Sequence, residues 1–487
     1  MKKIICVLIC IISSGCSDFL NVEPREDISI SQQFSTLTGT KQALNGAYYQ
    51  TEALLSDLGF LYADLLGGNI TFTPTVSGTN KGIIAIPARV NDFYNFNCVR
   101  DDFSFKSYYQ DAYEIVYNLN NILLYVSKLT DATDVEKNQI KAEAFALRGL
   151  VHFQLAQLFA QTYNYTPDAS HKGVVYADKI LIGGVDYPAR KSVAATYSLI
   201  VGDLQQALTL FTANQALAGA KTSYFNAIST KALLAKVALQ KRDWTLAKTM
   251  ANDVIANSGI ALMSGENYVT EWEKPSLPVS ETILEFSAPI NNETGTSSST
   301  VAQFYFLVAS GTTLNYGAYS ASDDLYLIFD TNDIRRNCFI NQAIAVKISS
   351  TVFQPQTFRF TKKFQDNAGT QYMRLSEMYL IAAESEARLG NNTAALLSLN
   401  TIRQRAGITA LTNTTNLLDA VFLERRKELC FEGNLFFDIA RFNKNVVRNL
   451  GCLAQTCNLD YPNNRFILPI PQSTINVNQN VIQNEGY

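Results

Sequence analysis

Two stretches of this 487-residue chain echo one another at a spacing that leaves few ways to fold. In KALLAKVALQKRDWTLAKTMANDVI eleven residues separate Ala235 from Ala247, and in EMYLIAAESEARLGNNTAALLSLNTI eleven separate Ala383 from Ala395. A turn falls at the same offset in both, Lys241-Arg242-Asp243 in one and Leu389-Gly390-Asn391 in the other. On either side the apolar residues recur every three or four positions, the period of a helix that buries one face. A helix, a short turn and a second helix, with a small residue where the two cross, form a hairpin that still has an open apolar face. That face must be covered by a neighbour of the same kind.

Further helical periods support such neighbours. In 108–129 the apolar positions are Tyr109, Ala112, Tyr113, Val116, Leu119, Leu123 and Val126, and 135–159 and 193–211 behave alike. The pattern predicts a mostly α-helical protein in which about four tetratricopeptide-type hairpins form a scaffold, with repeat helices over about 108–260 and 372–405. The first helical pattern begins near Lys41. Segments 60–105 and 265–370 differ: they hold turn formers such as Gly67-Gly68-Asn69 and Ser77-Gly78-Thr79-Asn80, and extended runs at Thr282–Phe286 and 358–364. Connections of that length in compact proteins are functional or disordered, so these segments are expected to form an irregular ligand face with short strands.

Composition removes several function classes. With 40 Lys+Arg against 43 Asp+Glu the chain lacks the basic surface that nucleic-acid binding needs. Two His leave little room for His-rich metal sites or Ser-His-Asp chemistry, and His152 sits in a helical pattern while His171 falls in a loop. Glu424, Glu428 and Glu432 stand at i, i+4 and i+8 on one helix face, interleaved with Arg425, Arg426 and Lys427. Glycoside hydrolysis needs two carboxyls facing each other ~5 to 9 Å apart across a bond, so this pattern reads as an ion-paired helix. No catalytic motif is present, and the chain is not expected to be an enzyme.

The N-terminus carries Lys2 and Lys3, a nine-residue apolar run at 4–12, and Ser13-Ser14-Gly15-Cys16. This resembles a bacterial lipoprotein signal, although Ser13 stands where Leu is usual. Residues 1–15 would be removed and Cys16 would carry lipid. Residues 16–40 then form a polar tether, and 41–487 a single body. Of the cysteines left, Cys98, Cys338, Cys430, Cys452 and Cys457, an odd number cannot all pair. Cys452 and Cys457 either close a small disulfide loop or are both buried thiols. No zinc quartet is near them.

The most specific residues lie toward the C-terminus. The run Glu424-Arg425-Arg426-Lys427-Glu428-Leu429-Cys430-Phe431-Glu432-Gly433-Asn434 leads into Leu435-Phe436-Phe437-Asp438-Ile439-Ala440-Arg441. Leu468-Pro469-Ile470-Pro471 and the final Gln483-Asn484-Glu485-Gly486-Tyr487 follow. Together with Cys16-Ser17-Asp18-Phe19-Leu20 and Pro24, these residues resemble the SusD/RagB family of Bacteroidetes outer-membrane lipoproteins. Asn434 departs from a frequent Arg. The resemblance implies a SusD-like fold, lipid-anchored on the extracellular face of the outer membrane. It implies binding of an oligo- or polysaccharide and delivery to a SusC-like TonB-dependent transporter; a peptide in place of the glycan is the alternative. It implies no cofactor, since energy comes through TonB. The resemblance places ligand contacts outside the repeats, where the sequence offers Asn69, Phe72, Arg89, Tyr94 and Asn97 in one segment and Trp272, Tyr316 and Tyr319 in the other. Trp272, flanked by Glu271, Glu273 and Lys274, reads as a surface platform for a sugar ring. The competing reading makes these aromatics core residues of small sheets.

Overall fold

The computed structural model describes residues 29–487 apart from 102, 274–278, 288–300, 312 and 365–368. The expected signal and the expected lipidation residue Cys16 lie outside the described residues. No described helix is long and apolar enough to cross a membrane.

The echoed segments are two hairpins of one design. Helices Ala227–Gln240 and Trp244–Asn257 have 14 residues each, as do Leu375–Arg388 and Asn392–Arg405. Ala235, Ala247, Ala383 and Ala395 are all fully buried, because a methyl group is what lets the paired backbones approach. In the first hairpin Asp243 restarts the helix by accepting a hydrogen bond from the Leu246 N–H at 3.2 Å. Trp244–Asn257 packs on Leu375–Arg388, joining the two hairpins into one stack. Helices Leu37–Leu54 with Phe103–Tyr125, and Asp134–Phe159 with Val193–Leu210, supply two further packed pairs. Asp134–Phe159 begins at a capping box, with Thr133 and Glu136 each accepting the other's backbone N–H.

The start of helical structure is earlier than Lys41. Ser29 caps a short turn, Ile30–Gln33, and Thr36 caps Leu37–Leu54 by accepting from Gly39 N–H at 3.1 Å. The capping signal was carried by Ser and Thr ahead of the apolar pattern. Segment 60–105 likewise opens on a buried helix, Phe60–Gly67, before its irregular part.

The strands are short and antiparallel. One sheet runs in the order Ile70–Phe72, Tyr319–Ala321, Phe353–Thr361, Phe339–Lys347. Thr282–Phe286 pairs with Thr370–Arg374, and Leu307–Ser310 with Thr313–Tyr316. All but the first of these strands belong to the excursion between the two echoed hairpins. Cys452 and Cys457 form a disulfide, while Cys98, Cys338 and Cys430 are buried thiols.

Glu424 and Glu428 lie on helix Leu417–Glu428, but Glu432 falls in the turn beyond its end, so the three do not share one helix face; all are ion-paired, and their partners are not the helix's own cations. Glu424 pairs with Arg335 at 2.7 Å and Arg403 at 3.3 Å. Glu428 takes Arg374 at 2.7 Å, Arg405 at 2.6 Å and Arg335 at 2.9 Å, and Glu432 takes Lys363 at 2.7 Å and Arg374 at 2.8 Å. The intervening Arg425, Arg426 and Lys427 point elsewhere, to Asp438, Asn69 and Asp330. Burial would push the Glu428 carboxyl up. The guanidiniums of Arg405, Arg374 and Arg335 and the Lys363 ammonium overcome it and hold the group well below the usual range. The network is buried and serves to join the C-terminal block to the excursion and the hairpin stack.

Candidate functional site

Between Leu37–Leu54 and Phe60–Gly67 the backbone widens for one turn, Leu55–Gly59, and the Phe60 N–H reaches back to the Leu55 carbonyl. Such an i→i+5 turn rotates the following side chains round the helix axis and recurs at functional sites. The C-terminal block holds it from behind. Asp64, one turn further on, accepts the backbone N–H of Phe431 at 3.0 Å and of Gly433 at 2.7 Å. Gly433 has a φ of 72°, and a Cβ there would stand 3.2 Å from Phe60 Cα. Burial raises the Asp64 carboxyl to about 6, against the lowering effect of the Asn69 amide and those two N–H groups.

On the other side, the widened turn presents Asp57 to a groove of about 350 Å³ between Leu37–Leu54 and Phe103–Tyr125. Its polar lining is Tyr49, Gln50, Asp57, Tyr108, Asp111 and Glu114. Tyr49 is 54% exposed. Gln50 donates to Glu114 at 3.2 Å and accepts from Asn118 at 3.0 Å, which fixes the amide across the groove. Arg89 pairs with Asp57. Partial burial raises the Asp57 carboxyl, opposed by that guanidinium. Asp111 is raised by burial and then by its like-charged neighbours Glu114 and Asp57. The Tyr108 hydroxyl is buried without a hydrogen-bond partner, 3.5 Å from where a Gly59 Cβ would stand. An exposed aromatic face beside carboxylate acceptors and an oriented amide is the equipment for holding a polyhydroxylated ligand: the ring covers C–H surface and the acceptors take hydroxyl donors.

The structure draws only one of the sequence-predicted residues to this groove. Arg89, at the rim, reaches it through Asp57. Asn97 is exposed on the turn after Asn91–Tyr94, where its N–H donates to the Asp92 carbonyl at 2.9 Å, and it is not among the residues that line the groove. The others are corrected to interior positions. Asn69 donates to Asp64 at 2.6 Å and accepts from Arg426 at 2.9 Å, so it belongs to the clamp behind the widened turn. Phe72, Tyr94 and Tyr319 form one buried aromatic cluster, with Phe72 at 4.8 Å from Tyr94 and 5.8 Å from Tyr319 between ring centres. Tyr316 packs on Phe360 in the apolar layer of the four-stranded sheet. Trp272 is 3% exposed. Its indole lies against Phe364, with Lys363 and Arg374 over the ring at 5.1 and 5.6 Å, and so caps the buried ion network. Of the charged neighbours that suggested a platform, Glu273 pairs with Lys362 at 2.7 Å and Glu271 accepts the Ser280 N–H at 3.0 Å, while Lys274 lies outside the described residues.

Sequence reasoning missed Tyr49, Asp57, Asp111 and Glu114. Asp111 and Glu114 lie three apart, hence on one helix side, opposite the buried stripe of Ala112, Val116 and Leu119. That was the available signal.

Comparisons with known proteins give one consistent result. The sequence pattern of the SusD family matches residues 346–487, and a related pattern described as starch-binding, associating with the outer membrane, matches residues 18–239. A SusD-like protein of Formosa agariphila is 23% identical across 97% of both chains. A SusD superfamily protein of Bacteroides thetaiotaomicron superposes with a TM-score of 0.79 at 25% identity, covering 92% of this chain and 99% of that one. A putative sugar binding protein of Bacteroides vulgatus gives 0.75 at 26% identity, over 93% and 99%.

Proposed function

The chain belongs to the SusD family, and from that premise we propose that it is a surface-exposed outer-membrane lipoprotein that binds glycan and delivers it to a SusC-like TonB-dependent transporter. The family description of the N-terminal half, starch-binding and associated with the outer membrane, supports the general reading of carbohydrate binding at that membrane. The sugar-binding description of one structural neighbour agrees with it. The observation that carries the placement is the groove beside the widened turn, where Tyr49 stands exposed next to Asp57, Asp111 and Glu114. The protein acts by binding, and the ligand leaves unaltered. Lipid on Cys16 would tether the body, each buried CH₂ contributing roughly 0.8 kcal/mol of membrane affinity.

The test is a combined glycan and peptide array probed with the mature chain, with bound material recovered and weighed by mass spectrometry. Capture of intact oligosaccharide, lost on Tyr49→Ala, is the expected result. Capture of peptides without glycans would replace this reading by that of a peptide importer's binding protein, and recovery of shortened sugar would make it a hydrolase. Tagged full-length protein extracted in mild detergent should bring down a large TonB-dependent barrel, and Cys16→Ala should release the protein from the membrane fraction.

A further inference from the structure

The groove's polar groups are one-sided. Asp57, Asp111 and Glu114 are acceptors only, and the cation at the rim, Arg89, is already committed to Asp57. Gln50 spends its amide on Glu114 and Asn118. On the floor the Tyr108 ring is 3% exposed and its hydroxyl has no partner, so a polar hydroxyl has been buried where nothing of the protein answers it. A ligand that enters therefore meets carboxylates with vacant lone pairs and few donors.

We infer that this groove selects by charge, admitting neutral and amino-bearing saccharides and excluding those that carry uronic-acid or sulfate groups. The inference rests on the glycan-binding reading above and narrows its ligand class. A sugar hydroxyl or ammonium supplies donors to Asp111 and to the lone pairs that Arg89 and Gln50 leave open on Asp57 and Glu114, and the partly buried Asp57 carboxylate favours them more than a water-exposed one does. An anionic sugar brings a like charge against Asp111, whose carboxyl is already raised by burial and by the nearby charges of Glu114 and Asp57. Arg89, whose Nη2 is held by Asp57, offsets one of the three carboxylate charges and leaves the groove acidic on balance.

The experiment uses the mature chain on an array printed with neutral gluco-, manno- and xylo-oligosaccharides, chitosan oligosaccharides, oligogalacturonates and sulfated galactans. Hits should fall in the neutral and chitosan classes, and the chitosan hits should weaken as salt is added. The Asp111→Asn/Glu114→Gln double variant, whose positions are solvent-facing, should melt like the native protein. It should lose roughly tenfold in affinity for chitosan oligosaccharides relative to a neutral hit, about one ionic contact. Oligogalacturonate or sulfated galactan bound as tightly as the best neutral sugar overturns the inference and leaves glycan binding intact. An unchanged ranking in the double variant does the same, because the groove would then not be the selector. An array on which no glycan is captured overturns both this inference and the reading beneath it.

Discussion

The Asp64 carboxylate accepts the backbone N–H of Gly433 at 2.7 Å across 369 residues of sequence. The bond ties the helix behind the candidate groove to the Phe431-Glu432-Gly433 turn. It also explains the glycine: φ is 72°, and any Cβ would press within 3.2 Å of Phe60 Cα. The most recognisable piece of the sequence thus acts on the candidate groove from behind, through backbone geometry.

Gly433→Ala is accordingly expected to cost about 1–3 kcal/mol, from the left-handed φ and the crowded Phe60 together. Urea unfolding measures it. Glycan affinity should fall in parallel as the widened turn carrying Asp57 shifts; an unaltered midpoint would mean the contact is slack.

Tyr49 and Trp272 should respond oppositely to truncation. Tyr49→Ala removes an exposed ring and should weaken glycan binding by ~1–3 kcal/mol with the melting temperature held. Trp272→Ala empties the cap over Lys363 and Arg374 and should destabilise the protein by ~3–5 kcal/mol. Calorimetry of each variant, paired with binding titration, separates the two roles; Trp272→Ala that melts normally but fails to bind would restore the indole as a ligand platform.

Breaking the ion network should be costly where surface pairs are not. Arg374→Ala leaves Glu281, Glu428 and Glu432 short of a buried cation and is expected to cost ~3–5 kcal/mol. Lys444→Ala, which removes an exposed pair with Asp419, should fall within ~1 kcal/mol. Equal effects in chemical denaturation would refute the distinction.

Stability should peak on the acidic side of neutrality. Burial raises the carboxyls of Glu52 to about 7, and of Asp64 and Glu143 to about 6. Since unfolded carboxyls titrate near ~4, the folded state binds more protons between these values, and stability falls as pH rises through that window. Glu428 and Glu432 run the other way: cations hold both below the usual range despite burial. Their contribution is present above ~4 and lost as pH falls through the folded values. The two trends place the maximum at pH ~4. Glu52→Gln should raise the melting temperature at pH ~8 and change little at pH ~4, and a flat profile from native protein would count against these shifts.

The helical stack was legible because its signals are local and repeated. Ala235, Ala247, Ala383 and Ala395 mark crossings, and the three-residue turns at Lys241 and Leu389 fall where the helices end. The candidate groove was legible only at Arg89. One wall, Phe103–Tyr125, falls among helices read as scaffold, the other, Leu37–Leu54, was read only as the first helical pattern, and the extra residue in the Leu55–Gly59 turn leaves no mark in the apolar period. Trp272 misled for a related reason: in the five-residue helix Tyr268–Trp272 adjacent side chains diverge, so charged neighbours say nothing about where the indole goes. Glu424, Glu428 and Glu432 were rightly read as ion-paired, yet the partners lie far off in sequence, where periodicity has no reach.

One consequence follows from how the two echoed hairpins meet. The chain leaves the stack after Asn257, builds most of its strands, and returns at Leu375 to a helix that lies directly against the one it left. An insert whose two ends are neighbours can be exchanged as a cassette, because closing a longer loop costs only about 0.6 kcal/mol per doubling of its length. The frame can therefore keep its shape while the graft between Ser258 and Arg374 is rewritten. The limit on such rewriting is electrostatic: a new graft must still bring cations in the place of Arg335, Lys363 and Arg374 to meet Glu424, Glu428 and Glu432.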